Sequence, residues 1–249
     1  MKWKTFIVPT LLLVLSSSCK KDNSNSSASN SNRLKLYIED ATNTSYDAID
    51  SFSFTYDGQN RITSLYSTNI KTVYAYPTSN TFTLDLYTYG VFNIHEIAYI
   101  NGSSLVDSTF QYDNTNDTTT EGYIYSSRLL MRKSTYDYSA VTGAQISTQD
   151  DYTYDNNGNP IKDIQSDGYG NVNTVSTFTY TNQLLNYSIG PTYIPQSKNL
   201  PATQVQTDGL GNHIATVAYT YVFDSSNRVI KETDAVDNGE SVVKTYVYY

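Results

Sequence analysis

Large and small side chains alternate with a period of two along most of this chain, broken at short intervals by turn dipeptides, and that pattern admits few folds. Phe52, Phe54 and Tyr56 share one face against Ser51, Ser53 and Thr55. Phe82, Leu84 and Leu86 oppose Thr81, Thr83 and Asp85, and Val217, Tyr219, Tyr221 and Phe223 form another one-sided run. Successive side chains of a strand point to opposite faces, so this spacing predicts half-buried antiparallel strands. Asp57-Gly58, Asn101-Gly102, Asn157-Gly158, Asp167-Gly168 and Asn238-Gly239 lie between such runs, where they predict two-residue hairpins. After the first 18 residues no long window carries a helical apolar stripe. The expected fold class is therefore all-β: a large curved antiparallel β-sheet meander, or a barrel-like fold of repeated hairpins.

The runs also repeat. Phe54-Thr55-Tyr56-Asp57 followed by Asn60-Arg61-Ile62 is echoed by Tyr152-Thr153-Tyr154-Asp155 followed by Gly158-Asn159-Pro160-Ile161-Lys162. It returns as Tyr219-Thr220-Tyr221-Val222-Phe223-Asp224 followed by Asn227-Arg228-Val229-Ile230-Lys231, with weaker copies at Phe110 to Asp113 and Phe178 to Tyr180. The unit is a strand, a polar turn and a returning strand, and its repetition implies a continuous meander. These units resemble the tyrosine-aspartate (YD) repeats of the Rhs family. Together with Ser197-Lys198-Asn199-Leu200-Pro201 and the terminal Thr245-Tyr246-Val247-Tyr248-Tyr249, they are similar to a domain of unknown function with a porin-like fold found in Bacteroidetes lipoproteins. The resemblance implies a wide, strongly curved antiparallel sheet approaching a barrel, and no activity. The units lack the regular glycine of Rhs repeats, and the chain is too short for a shell enclosing a toxin.

The N-terminal segment carries an address. Lys2 and Lys4 precede an apolar run from Phe6 to Leu15, then Ser16, Ser17, Ser18 and the lone Cys19, the order of a secretory signal. Ten residues containing Pro9 are too few for a bilayer span of ~20. The site resembles a bacterial lipoprotein signal, with Cys19 as the lipidated residue. Residues 1–18 then form the signal peptide and 19–32 a lipidated cysteine with a disordered tether. Residues 33–249 form the all-β domain. Asp22 to Asn32 carries no large apolar group to repay the entropy of folding, and as a flexible coil it would hold the domain on the order of 20 Å from the membrane. Lys20 and Lys21 suit anionic headgroups, and Lys21-Asp22 resembles a surface-export signal. The expected localisation is an outer-membrane lipoprotein, surface-exposed or periplasm-facing.

Charge and composition narrow the partners. A net charge of −8, without clustered cations beyond Lys20 and Lys21, argues against nucleic acid. His95 and His213 lie far apart, and no second cysteine exists to join them at a metal. Asp150 and Asp151 are adjacent on a strand and so point to opposite faces, which separates them as a catalytic pair. The run Asp155 to Asn159 lacks the spacing of a calcium loop and reads as a turn. No G-x-S-x-G elbow occurs. The chain is expected to be neither an enzyme nor a holder of any cofactor. Asp107-Ser108-Thr109 and Asp117-Thr118-Thr119 resemble the O-glycosylation acceptor of exported Bacteroidetes proteins, which would modify Ser108 and Thr118 in a stretch read as turns. Tyrosine, at 25 copies, is read chiefly as cross-strand packing, with some rings left in a groove for glycan or protein contact. The favoured function is a monomeric, non-catalytic binding module for a glycan, peptide or envelope partner, anchored through Cys19. The alternatives are a structural envelope protein without a small-molecule ligand and an integral outer-membrane barrel.

Overall fold

A computed structural model describes residues 33–44, 48–115, 117–139, 143–189, 193 and 196–249, and Cys19 and the tether lie outside them. Sixteen strands follow one another. They are β1 (Leu34–Asn43), β2 (Ile49–Tyr56), β3 (Ile62–Tyr66), β4 (Ile70–Thr78), β5 (Thr81–Thr88), β6 (Val91–Ile100), β7 (Val106–Asp113) and β8 (Thr118–Ser126). The second half comprises β9 (Leu129–Ser139), β10 (Gly143–Tyr154), β11 (Pro160–Asp167), β12 (Val172–Leu184), β13 (Asn199–Asp208), β14 (His213–Phe223), β15 (Val229–Val236) and β16 (Ser241–Tyr248). Every strand pairs antiparallel with its sequence neighbours, and β1 pairs with β16 through Tyr37 opposite Tyr246 and Glu39 opposite Lys244. The meander thus closes into a barrel, which removes every strand edge. On the concave side Phe52, Phe54, Phe82, Leu84, Tyr219 and Tyr221 are among the one-sided residues that face inward, covered or half covered.

The two ends of the barrel differ. At the end where Leu34 pairs with Tyr248, the first residues of the odd-numbered strands and the turns before them hold the most deeply buried side chains. These are Leu34, Leu105, Val106, Leu200, Val229 and Asn159. Burying each large aliphatic among them contributes about 1.5–3 kcal/mol. The β12–β13 connection also lies at this end. Its Tyr187 hydroxyl donates to Glu232 Oε2 at 2.7 Å, and the Tyr193 ring stacks on Phe82 at 5.3 Å. Tyr193 also accepts the Val106 N–H at 3.0 Å, so this connection touches strands as distant as β5, β7 and β15.

The Tyr-Asp units have a structural explanation. Near the ends of six even-numbered strands, a tyrosine hydroxyl donates to a backbone carbonyl at or near the start of the preceding odd strand. The pairs are Tyr56 to Leu34 (2.9 Å), Tyr76 to Ile62 (2.8 Å) and Tyr154 to Leu130 (2.7 Å). They continue with Tyr180 to Pro160 (2.6 Å), Tyr221 to Pro201 (3.0 Å) and Tyr248 to Val229 (2.8 Å). Each clasp satisfies a half-buried hydroxyl and ties a strand end to its neighbour. The aspartate that follows caps the turn: Asp57 Oδ1 accepts the N–H of Gln59 and Arg61, and Asp224 Oδ1 those of Ser226 and Arg228.

These turns correct the expected two-residue hairpins. The N–H of the residue three past the aspartate bonds back to the aspartate carbonyl, and it is that residue that takes the positive φ. Asn60, Gly158, Gly170, Gly211 and Asn227 do so, while Gly58 does not. The longer loop, with a bulge in the returning strand, is a type I turn followed by a left-handed residue. In Asp167-Gly168-Tyr169-Gly170-Asn171 the first glycine answers a different need, since a Cβ there would sit 1.7 Å from the Ile146 carbonyl oxygen.

Candidate functional site: the inner ionic belt and an outer aromatic groove

Between the aromatic layers, charged groups face inward in two clusters. Lys244 Nζ lies 3.0 Å from Glu232 Oε1 and 2.6 Å from Asp234 Oδ2. The other Glu232 oxygen accepts from Tyr187 and Tyr246, the latter at 2.9 Å. On the opposing half, Lys133 Nζ lies 3.4 Å from Glu121 and 3.5 Å from Asp150, and Gln165 donates to Asp150 at 3.2 Å. Tyr37 bonds Glu39, and Tyr123 bonds Glu121. Burial pushes the Glu96 carboxyl up to about 7, reinforced by the charge of Glu121. Burial and the neighbouring Asp150 raise Asp163 to about 7 as well. Asp234 is raised to about 7, first by burial, whereas Glu232 is held low: its desolvation is outweighed by Lys244 and its hydrogen bonds. Although burial opposes their charge, both lysines are raised by their flanking carboxylates. A lysine fixed as an ammonium is neither nucleophile nor base, so the belt's chemistry is that of a staple across neighbouring strands.

The sequence-derived positions distribute as follows. Asp150 is buried and inward, and Asp151 is outward on Arg132 at 2.6 Å, so the two are separated by the pleat. His95 pairs with Asp85 at 2.6 Å on the outer wall, and His213 lies 3.1 Å from Asp237 at the end opposite the termini. Among the described residues no group of three or more His, Cys, Asp or Glu is placed to hold a metal ion. Asn159 is buried, and its side chain accepts the Lys198 and Asn199 N–H groups at 2.8 and 2.9 Å, which seats the Ser197-Lys198-Asn199-Leu200-Pro201 motif. Ser108 and Thr118 are half-buried strand residues of β7 and β8 rather than turn residues, both on the outer face. The inward lysines went unnoticed in the sequence. Their signal was a charge placed in step with aromatics, as Lys244 is with Tyr246 and Tyr248.

The outer wall mixes Ser, Thr and Val with outward Leu, Ile and charged residues, and most of its aromatics gather on β5 to β9. Tyr87 meets Phe92, and Phe92, His95 and Phe110 each meet Tyr112, with ring centroids 5.0–6.4 Å apart. The register continues the region across β8 in three rows: Tyr112 beside Thr118, Phe110 beside Thr120 and Tyr136, and Ser108 beside Gly122 and Ser134. Because β8 presents only Thr118, Thr120 and Gly122 here, it forms the floor of a groove. Phe110, Tyr136 and Tyr138 wall this groove, whose volume is about 450 Å³. Tyr138 is 62% exposed. At the end opposite the termini, Tyr169 and Leu210 project from turn tips, each 90% exposed.

Comparison with known proteins shows the fold. A porin-like protein from Bacteroides uniformis superimposes with a TM-score of 0.65 at 13% identity, covering 88% of this chain and 98% of that one. A porin-like protein from Bacteroides vulgatus gives 0.63 at 10% identity, covering 88% and 99%. No protein-family model and no curated protein matches the chain. The likeness to porin-like barrels expected from the sequence holds at the level of the fold.

Proposed function

We propose that the chain is an outer-membrane or cell-surface lipoprotein, anchored through Cys19, whose barrel is a non-catalytic binding module. The observation that carries this reading is the division of its tyrosines. The clasps and the ionic belt occupy many of those that face inward, whereas Tyr138, Tyr169, Tyr89, Tyr66 and Tyr99 stand exposed on the outer wall or the turn tips. An exposed tyrosine offers a rigid amphipathic ring at little entropic cost, which suits recognition better than stability. Both ends of the barrel chain, Leu34 and Tyr248, lie at the core-filled end, so a tether entering there leaves the opposite end facing away from the membrane.

The porin-like neighbours raise the integral barrel as a second reading. A membrane-spanning barrel needs an outward apolar band about 25 Å tall. The outer wall does expose apolar residues such as Tyr66, Tyr99, Ile124, Tyr138 and Val247, but Ser51, Ser53, Thr55, Thr179, Thr203 and Thr220 and the Asp85–His95 and Arg132–Asp151 pairs interrupt them. That surface favours a tethered barrel over a spanning one. Replacing Cys19 by Ala tests the anchor: the variant should accumulate as soluble exported protein or unprocessed precursor, and a processed, lipid-modified membrane form would refute it. Retention of envelope proteins and glycans by the full chain, beside assays for turnover and bound metal, tests the binding class. Robust turnover or stoichiometric metal would refute that reading.

A further inference from the structure

We infer that the outer groove along β8 is a saccharide-binding site for an uncharged sugar chain. The inference rests on the binding-module reading and assigns it a place and a ligand class. The groove has the two elements that recognise a sugar, ring faces for its apolar C–H surface and hydroxyls for its own. Phe110, Tyr136 and Tyr138 supply the faces. The hydroxyls of Thr118 and Thr120 on the floor have no hydrogen-bond partner among the described residues, whereas other outward threonine hydroxyls pair with one another, as Thr179 does with Thr203 at 2.7 Å. Gly122 continues the floor, with the Tyr136 ring edge in ordinary contact range, 3.7 Å, of where a Cβ would stand.

Two facts select this occupant over others. The groove is lined by no charged residue in a chain of net charge −8, which disfavours both acidic polymers and basic peptides that would seek acidic contacts. The barrel has no free strand edge, so an extended peptide cannot bind by adding a strand and would forfeit the main-chain bonds that give such complexes their affinity. Walls on β7 and β9 stand about 10 Å apart, two strand spacings, which fits one sugar chain lying along β8. The sugar has two possible sources: a glycan in solution, or one carried on Thr118 itself, whose Oγ opens into the groove.

The test uses the full chain in detergent, run by affinity electrophoresis through gels containing a neutral β-glucan, xylan or galactomannan, with an acidic polysaccharide as comparison. Retardation by a neutral polymer should fall at least tenfold in Tyr138→Ala and Thr120→Trp, survive in Tyr138→Phe, which keeps the ring, and be unchanged in Leu210→Ala. Far-UV circular dichroism checks that each variant is folded. Intact-mass measurement of the chain from its native host separates the sources. Hexose increments lost in Thr118→Ala place a glycan on Thr118, and a gain of retardation by free polymer in that variant shows that this glycan filled the groove. Loss of retardation in Tyr169→Ala but not in the groove variants would overturn the groove while leaving the binding module intact. If the native chain is unglycosylated and no neutral polymer retards it, the saccharide site is refuted. The envelope-protein retention assay then decides the broader reading separately.

Discussion

Replacing Lys244 by Met removes one charge and keeps most of the alkyl stem, so it isolates what the buried ammonium does for the barrel. The ammonium is 3.0 Å from Glu232 and 2.6 Å from Asp234, beneath Tyr37 and Tyr246, and most of its side chain is covered. At an effective dielectric near 20 a pair at that distance interacts by about 5 kcal/mol, and desolvating each ion costs several kcal/mol in return. Deleting the cation leaves the carboxylates with that cost and without the attraction, so the variant should lose about 3–5 kcal/mol at pH 8. The loss must also depend on pH. Asp234 is already raised to about 7, and without Lys244 it binds its proton more tightly still, while Glu232 loses the cation that most offsets its desolvation, so at pH 5.5 less charge is left to be compensated. The penalty at pH 5.5 should therefore be smaller than that at pH 8. Urea unfolding followed by tyrosine fluorescence at the two pH values measures both quantities. A loss below about 1 kcal/mol at pH 8, or an equal loss at both pH values, would refute the argument that an uncompensated buried charge is what the lysine prevents.

Three further outcomes follow from the same geometry. The native chain should grow more stable between pH 8 and about 5.5. Glu96 and Asp163, charged at high cost above about 7, take up protons in the fold before they would in the unfolded chain, and each contributes about 2 kcal/mol over that window before screening. Stability should then fall at lower pH, below the ordinary aspartate range. There Asp167 and Asp208, held low by the side-chain amides of Asn171 and Asn212 and by backbone N–H groups, lose those bonds on protonation; thermal unfolding across pH 3–8 traces both limbs. Tyr154→Phe should cost about 1–2 kcal/mol by leaving the Leu130 carbonyl without its donor, whereas Tyr169→Phe, at an exposed tip, should change stability by less than about 0.5 kcal/mol in chemical denaturation. Gly168→Ala should destabilise by more than about 2 kcal/mol because its Cβ meets the Ile146 carbonyl. Gly58→Ala, with open space and no positive φ, should be neutral or slightly stabilising in the same assay.

The strands were legible because burial acts on them one residue at a time. Phe52, Phe54 and Tyr56 show their inward face within a single strand, and a period of two cannot serve a helix. The Tyr-Asp units likewise announced local hairpins, since an aspartate capping its own turn acts over five residues. Closure was a different matter: nothing in β1 or β16 alone says that Glu39 will stand beside Lys244, because the pairing joins residues some two hundred positions apart. The destination of the tyrosine hydroxyls was hidden for the same reason. An aromatic at an inward position reads as packing, and only the neighbouring strand supplies the carbonyl that turns it into a clasp. The β8 groove needed more still, three strands in register, so that Thr118, Thr120 and Gly122 fall between Phe110 on one side and Tyr136 and Tyr138 on the other. By itself the sequence determined periodicity and the placement of the turns, both properties of neighbouring residues. Tertiary structure alone decided closure, the compensation of each buried charge and the location of the groove, because those depend on which distant strands share a wall.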